Sequence, residues 1–366
     1  MCFDFSVAIP ETDSISYLSG AFPPHLMDSL ELIRTLPKAE QHIHIVGATR
    51  PETLLWLMEE SGEETTFKNL EEVERFFQYS DFDHFISVYS TVSKFIVDER
   101  QFERITYEML EDDARCNVRY VEASFSAPDH VKEGLDYGRM LDAINRGIRR
   151  AGEDFGITCN LRIDLVRNYG PDYGMEVLDW IEAKGDNIIA VDIGGSERGY
   201  PPDPYKPVYS RAREMGLHLA AHAGEAEGPE SIWGALKHLD VERIGHGTSA
   251  IKDPTLVAYL RDKGITVETC PVSNVRTNAV PSVREHPVRA FYDSGIRVTV
   301  NSDDPSMFGT DMNNEYVQLH EQLGFTVPEL FQISLNAVDS AFLPDEEKAR
   351  LRERFHEEID RLTMDA

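Results

Sequence analysis

Eight short runs of β-branched and apolar residues punctuate the chain: HIHIV (42–46), VRYVEASF (118–125), TCNLRIDLV (158–166), NIIAVDIGG (187–195), LHLAAHAG (217–224), ERIGHGT (242–248), TVETCPVSN (266–274) and RVTVNSDD (297–304). Each is followed by a longer stretch whose apolar positions recur with helical spacing. After the first interval the runs start a few tens of residues apart, which is room for a strand, a loop and a crossover helix. Eight such units predict a (β/α)8 barrel of the TIM type. A doubly wound open sheet is the alternative, but it would show a glycine-rich phosphate turn after its first strand, where this chain has HIHIVGATRPE. Residues 47–117 contain PETLLWLMEE, NLEEVERFFQ and DFDHFISVYSTVSKFI, extra helices between strands one and two that would lie over the C-terminal mouth as a lid. Residues 1–36 read as an N-terminal extension, with PHLMDSLELIRTLP as one helix. No linker, repeat or low-complexity tract divides the rest, so residues 1–366 read as one barrel domain.

At 41% hydrophobic and 10% aromatic residues, the chain has material for a large core and lacks the bias of a disordered protein. Its 65 Asp and Glu against 36 Lys and Arg give a net charge of −29. That surface repels polyphosphates and argues against a nucleic-acid partner. Cys2, Cys116, Cys159 and Cys270 form no C-x-x-C pair, which fits neither a disulfide framework nor a thiolate metal site and suits a reducing compartment. The start, MCFDFSVAIPETDS, lacks a basic n-region, and no run approaches the length of a membrane span. The expectation is a soluble cytoplasmic protein; no signature sets its number of copies per assembly.

The chemistry concentrates at the ends of the predicted strands. His42 and His44 alternate along the first strand and so point the same way, which in a barrel is inward. A single inward histidine is most often a packed one, but H-x-H at this level points to metal ligation. His222 in AAHAGE and Asp303 in VNSDDP sit at the same level and complete a His3Asp ligand set with room for one water. Glu225, three residues after His222, is placed for general acid or base work, its plain alternative being a solvated loop glutamate. His246 in RIGHGT, flanked by Gly245 and Gly247 that leave space for a ligand or water, is placed to orient or deprotonate the attacking water; a histidine bonded between strands is the structural alternative. Asp304 would point to another side than Asp303, toward a substrate, unless it only caps the helix at Pro305. Gly194 and Gly195 either expose backbone N–H groups to a ligand or make a tight turn. No lysine ends a predicted strand, which favours a single ion over a bridged pair.

Taken together, LPKAEQHIHIVGA, AAHAGE, RIGHGT, CPVSN and VNSDDP, in this order over nearly the whole chain, resemble the adenosine deaminase family of purine deaminases. The resemblance implies one Zn2+ per chain on His42, His44, His222 and Asp303, and a small-molecule purine substrate. It further implies that Glu225 protonates purine N1, His246 works on the attacking hydroxide, Asp304 bonds N7 and the backbone of Gly195 meets N3. A protonated Glu225 and an ionised Asp304 would then read opposite edges of the ring.

One position departs from the family pattern. Members carry an acidic residue two places after the second metal histidine, which bonds the ribose 5′-hydroxyl; here that place is Val46, which accepts no hydrogen bond. A 5′-modified nucleoside or a free base loses less by this change. The segments HIVGAT, DFDHFISVYSTV and SDDPSMFGTDMNNEY look most like the aminodeoxyfutalosine deaminases of the futalosine route to menaquinone, whose substrate carries an aryl ketone arm at the 5′ position. Phe82, Phe85 and Tyr89 share a helical face that would cover that arm or serve as core. An adenosine or adenine deaminase is the alternative within the family. Outside it stand a catalytically silent binding protein and a metal-dependent amide or ester hydrolase.

Overall fold

A computed structural model describes residues 29–62 and 67–364 of the chain. Eight parallel strands follow one another in chain order around a barrel: β1 (Lys38–His44), β2 (Val118–Phe125), β3 (Thr158–Val166), β4 (Ile188–Gly194), β5 (His218–Ala223), β6 (Arg243–His246), β7 (Thr266–Thr269) and β8 (Val298–Val300). The seam between β8 and β1 closes through Asp303, whose N–H donates to His42 O at 3.0 Å and whose carbonyl accepts from His44 N at 2.8 Å. The (β/α)8 barrel expected from the eight runs is the observed fold, and the open sheet is excluded.

The expected runs at β2 and β3 match the strands to the residue, and those at β4, β5 and β6 are trimmed at both ends. The other three shift further. β1 runs over 38–44 rather than 42–46, because Lys38, Glu40 and Gln41 are fully buried and carry no hydrophobic signal. β7 stops at Thr269, since Pro271 opens a helix, Pro271–Arg276, where the apolar run had suggested more strand. β8 has only three residues, and Asn301–Asp303 leave it as an irregular segment in which Asp303 adopts φ 64°.

Outward-facing residues such as Val121, Ala123, Ile163, Leu165, Val191 and Ile193 are buried against the surrounding helices and form the main apolar core. The inside of the barrel differs: Ala190, Ala220 and Phe342 form a small separate plug, and above it lie Glu122, Arg162, Asp192, Arg243 and Glu268, all buried. Buried charges persist only when paired. Arg162 bonds both Asp192 and Glu268, and Arg243 bonds Glu122 while its guanidinium stacks 3.5 Å from the Phe342 ring centre.

Of the N-terminal stretch, α1 (Ser29–Thr35) is helical, and the rest of the expected helix lies outside the described residues. The insertion between β1 and β2 forms α2 (Pro51–Ser61), α3 (Leu70–Phe76), α4 (Phe82–Lys94) and α5 (Gln101–Arg115). Asn69 and Asp81 cap α3 and α4 by accepting from the N–H of Glu72 and His84, which explains where these helices begin. No helix among the described residues is long and apolar enough to cross a membrane.

Candidate active site

β1 carries His42 and His44 on its inward face, β5 carries His222, and the seam segment carries Asp303, so four residues from three chain-distant segments meet at the C-terminal mouth. His42 Nε2 and His44 Nε2 each lie 3.4 Å from Asp303 Oδ1, and His44 Nε2 lies 3.3 Å from His222 Nε2. The opposite nitrogen of each ring faces a carboxylate from a strand: His42 Nδ1 meets Glu268 Oε2 at 2.9 Å, His44 Nδ1 meets Asp164 Oδ2 at 3.3 Å and His222 Nδ1 meets Asp192 Oδ1 at 3.1 Å. A carboxylate partner places the ring proton on Nδ1, so all three Nε2 atoms present lone pairs to one another and to a carboxylate. His42 Nε2 is buried without a hydrogen-bond partner among the described residues. Converging lone pairs with no proton between them repel unless a cation sits among them, and an imidazole–carboxylate donor set suits a divalent ion of the zinc type.

Distance alone also groups His246 with His42, His222 and Asp303, and separately groups His44 with Asp303 and Asp304, each set within 4.8 Å. Hydrogen bonding separates the histidines. His246 has no carboxylate on Nδ1; Asn274 Nδ2 donates to it at 3.0 Å. The amide is oriented by a relay in which Val288 N–H donates to His286 Nδ1 and His286 Nε2 donates to Asn274 Oδ1, at 3.1 Å each. The neutral His246 ring therefore holds its proton on Nε2, which faces Glu225 Oε2 at 3.5 Å and Asp303 Oδ2 at 4.0 Å. His246 adopts φ 61°, so both it and Asp303 hold a backbone conformation rare outside glycine, at the centre of the site.

Glu225 is held from two sides. Its Oε1 accepts from Asn274 Nδ2 at 3.2 Å and Thr277 Oγ1 at 3.0 Å, which leaves Oε2 to carry a proton. Burial, reinforced by the charge of Asp303, pushes this carboxyl up to about 8. Its loop is clamped by Glu197, whose carboxylate accepts from the N–H groups of Gly224, Glu225, Ala226 and Glu227. Asp304 is buried, and its Oδ1 lacks a hydrogen-bond partner among the described residues. Burial and the neighbouring Asp303 push it well above the usual carboxylate range, which differs from the ionised state expected from sequence.

A cavity of about 270 Å³ opens above these groups. Phe82, Phe85, Ile86 and Tyr89 of α4 form one wall, and Gly194, Gly195, Glu225 and Asp304 its inner wall. Among the described residues no lysine or arginine lines it. Val46 is buried away from it in the core. The glycines beside His246 serve the barrel rather than a ligand: a Cβ at Gly245 would stand 2.9 Å from the His42 ring, and one at Gly247 2.9 Å from Val267. That corrects the space assigned to them from sequence.

Asp164, Asp192, Glu268, Ser273, Asn274 and Thr277 were not singled out in the sequence. The three acids had a signal, since each interrupts an apolar strand at an inward position. Ser273, which donates to Asp303 Oδ2 at 2.6 Å, had none beyond its motif.

Histidines and aspartates gathered at the carboxyl ends of a parallel barrel define a metal-dependent hydrolase. Residues 37–358 match the family model of adenosine deaminase, and the chain belongs to that family and is a hydrolytic deaminase. It is similar to the aminodeoxyfutalosine deaminase of Streptomyces coelicolor, with 37% identity over 336 residues, 90% of this chain and 85% of the relative. The adenine deaminase of Arthrobacter aurescens superposes with a TM-score of 0.86 at 32% identity, covering 89% of this chain and 99% of that one. An amidohydrolase from Burkholderia ambifaria with bound Zn superposes with a TM-score of 0.85 at 28% identity, covering 95% and 96% of the two chains.

Proposed function

We propose that this chain removes the 6-amino group of an adenine-containing nucleoside as ammonia, with aminodeoxyfutalosine as substrate and one zinc ion held by His42, His44, His222 and Asp303. The proton placement on Glu225 carries this reading. A carboxyl whose Oε1 is occupied by two donors and whose Oε2 faces the site has the form needed to protonate N1 of a purine, which makes C6 electrophilic enough for water to add. His42, His44, His222 and Asp303 would hold the zinc ion, which would supply Lewis acidity that brings the ionisation of water down to about neutral pH. His246 orients the attacking water through its Nε2 proton; of the two roles open from sequence, the Asn274 relay favours orientation over proton removal. N7 of adenine is an acceptor, so Asp304 meets it as a carboxylic acid rather than a carboxylate. The turn at Gly195, with φ 85°, brings backbone to the N3 edge.

The relative from Streptomyces coelicolor and the lid wall of Phe82, Phe85 and Tyr89 support the aminodeoxyfutalosine reading. A second reading, adenine deaminase, is favoured by the absence of a lysine or arginine along the cavity to meet an aryl carboxylate, and by the Arthrobacter aurescens likeness. Cys116, Cys159 and Cys270 are buried and free, which fits a reducing cytoplasmic compartment. Loss of adenine absorbance and release of ammonia, measured on the zinc-loaded enzyme with aminodeoxyfutalosine, adenosine and adenine in parallel, test the proposal. Preferential conversion of aminodeoxyfutalosine is expected. Preference for adenine would replace it with the second reading, and conversion of none would sink both.

A further inference from the structure

The side wall of the cavity holds a carboxylate that the reaction does not use. Asp129 follows β2 by four residues, lines the cavity and is only partly exposed. One of its oxygens accepts from the Tyr169 hydroxyl at 2.8 Å; the other has no protein hydrogen-bond partner among the described residues. No cation pairs with it there either. Lys132, one turn further along the same short helix, turns its ammonium over the Tyr169 and Tyr173 rings, 4.4 Å and 4.7 Å from their centres. A buried or half-buried carboxylate is expected to be paired, so one left in a cavity wall with an unpartnered oxygen is an acceptor awaiting a donor.

Its position relative to the purine follows from the inner wall. Asn168, the residue before Tyr169, packs so closely against Gly195 that a Cβ there would stand 2.7 Å from Asn168 Oδ1, and Ser196 N–H donates to that same oxygen. Tyr169 and Asp129 therefore stand beyond the Gly195 edge. With C6 at the metal end and N3 at Gly195, N9 and whatever it carries leave the ring toward that side. Ser126, three residues before Asp129, joins this wall to the lid through Tyr89, hydroxyl to hydroxyl at 3.2 Å, and to the His44 side through Asp164 Oδ2 at 2.6 Å. Among the described residues the wall thus presents hydroxyl and carboxylate acceptors and no cation.

Resting on the purine-nucleoside reading above, we infer that Asp129, held by Tyr169, is a sugar subsite that accepts hydrogen bonds from the ribose 2′- and 3′-hydroxyls and selects nucleosides over free bases. It replaces in function, from a different strand end, the acceptor that Val46 does not provide.

The test compares the zinc-loaded wild type and the Asp129→Asn, Asp129→Ala and Tyr169→Phe variants on a ribonucleoside, its 2′-deoxy and 3′-deoxy analogues, and adenine. Wild type is expected to show a KM about tenfold or more higher for at least one deoxy analogue, the cost of leaving a charged acceptor unpaired. Asp129→Ala is expected to raise KM for the ribonucleoside by a similar factor, with kcat little changed, to abolish the discrimination against the deoxy analogue and to leave adenine kinetics as they were. Equal KM values of wild type for the ribonucleoside and both deoxy analogues would overturn the inference without any variant, as would an Asp129→Ala loss that is the same on adenine as on the nucleoside. A wild type that deaminates only adenine overturns the nucleoside reading as well, whereas one that deaminates nucleosides with no regard to Asp129 overturns the subsite alone.

Discussion

A methyl group on Gly47 would stand 1.7 Å from Oδ1 of Asp304, so this glycine exists to let the carboxyl cross over the backbone that follows β1. Gly47→Ala is expected to displace Asp304 while sparing His42, His44, His222 and Asp303. Turnover should fall about 10²-fold, the scale of a misplacement of about 1 Å, with the metal content of the purified protein unchanged. Unchanged kinetics would remove Asp304 from the substrate contacts. At Glu225 the expectation is sharper. Glu225→Gln keeps an Oε1 that accepts from Asn274 and Thr277 but carries no acidic proton, so kcat should drop about 10²–10⁴-fold with metal retained. Activity near that of wild type would show that another group protonates the ring. Both residues were legible, Glu225 by its spacing from His222 and Asp304 by its place beside Asp303. Proton positions were not legible, because they depend on partners such as His286 and Asn274 that come from other elements.

Between elements, the site is held by loops that lean on one another. Glu197, on the segment after β4, gathers four consecutive N–H groups of the loop after β5, and that loop carries Glu225. Removing the acceptor in Glu197→Ala leaves those donors to water or to nothing. A destabilisation of about 1–3 kcal/mol is expected, read as a lower Tm, together with a loss of kcat because Glu225 is no longer fixed. Glu197→Gln retains one acceptor oxygen and should recover part of both. A variant with the Tm of wild type would show that the loop is held by other contacts. The short helix Pro271–Arg276 has the same office on the opposite side through Ser273 and Asn274. Its apolar start had read as a continuation of β7, since a run of apolar residues has no period that separates strand from the first turn of a helix.

On the scale of the whole molecule, the barrel buries carboxyls that need protons as well as carboxylates that need cations. Glu315, on the helix Met312–Leu323, accepts from Thr310 Oγ1 and Val272 N, and burial raises it from 4.5 to about 8. A group raised on folding binds its proton more tightly in the native state, so its contribution to stability is complete below about pH 4.5 and is lost as pH rises through about 8. Glu315→Gln should therefore flatten the fall of Tm over that window, measured by thermal unfolding at stepped pH. A slope identical to that of wild type would mean that other buried carboxyls, such as Glu40, dominate.

Local pattern was enough to determine the number of strands and their parallel winding, since each apolar run followed by a helical period is a property of adjacent residues. It also determined which rare side chains sit at the strand ends, because alternation along β1 fixes the shared face of His42 and His44. Tertiary structure decided everything that crosses the barrel. Glu268 lies 226 positions from His42 in the chain, yet its carboxylate sets which nitrogen of that ring is free to bind. The period of a strand reports the face a residue occupies and is silent about its neighbour on the far side. Closure of the barrel through Asp303 creates that neighbour, and with it the convergence of lone pairs, the orienting acids beneath them and the cavity wall on which Asp129 stands.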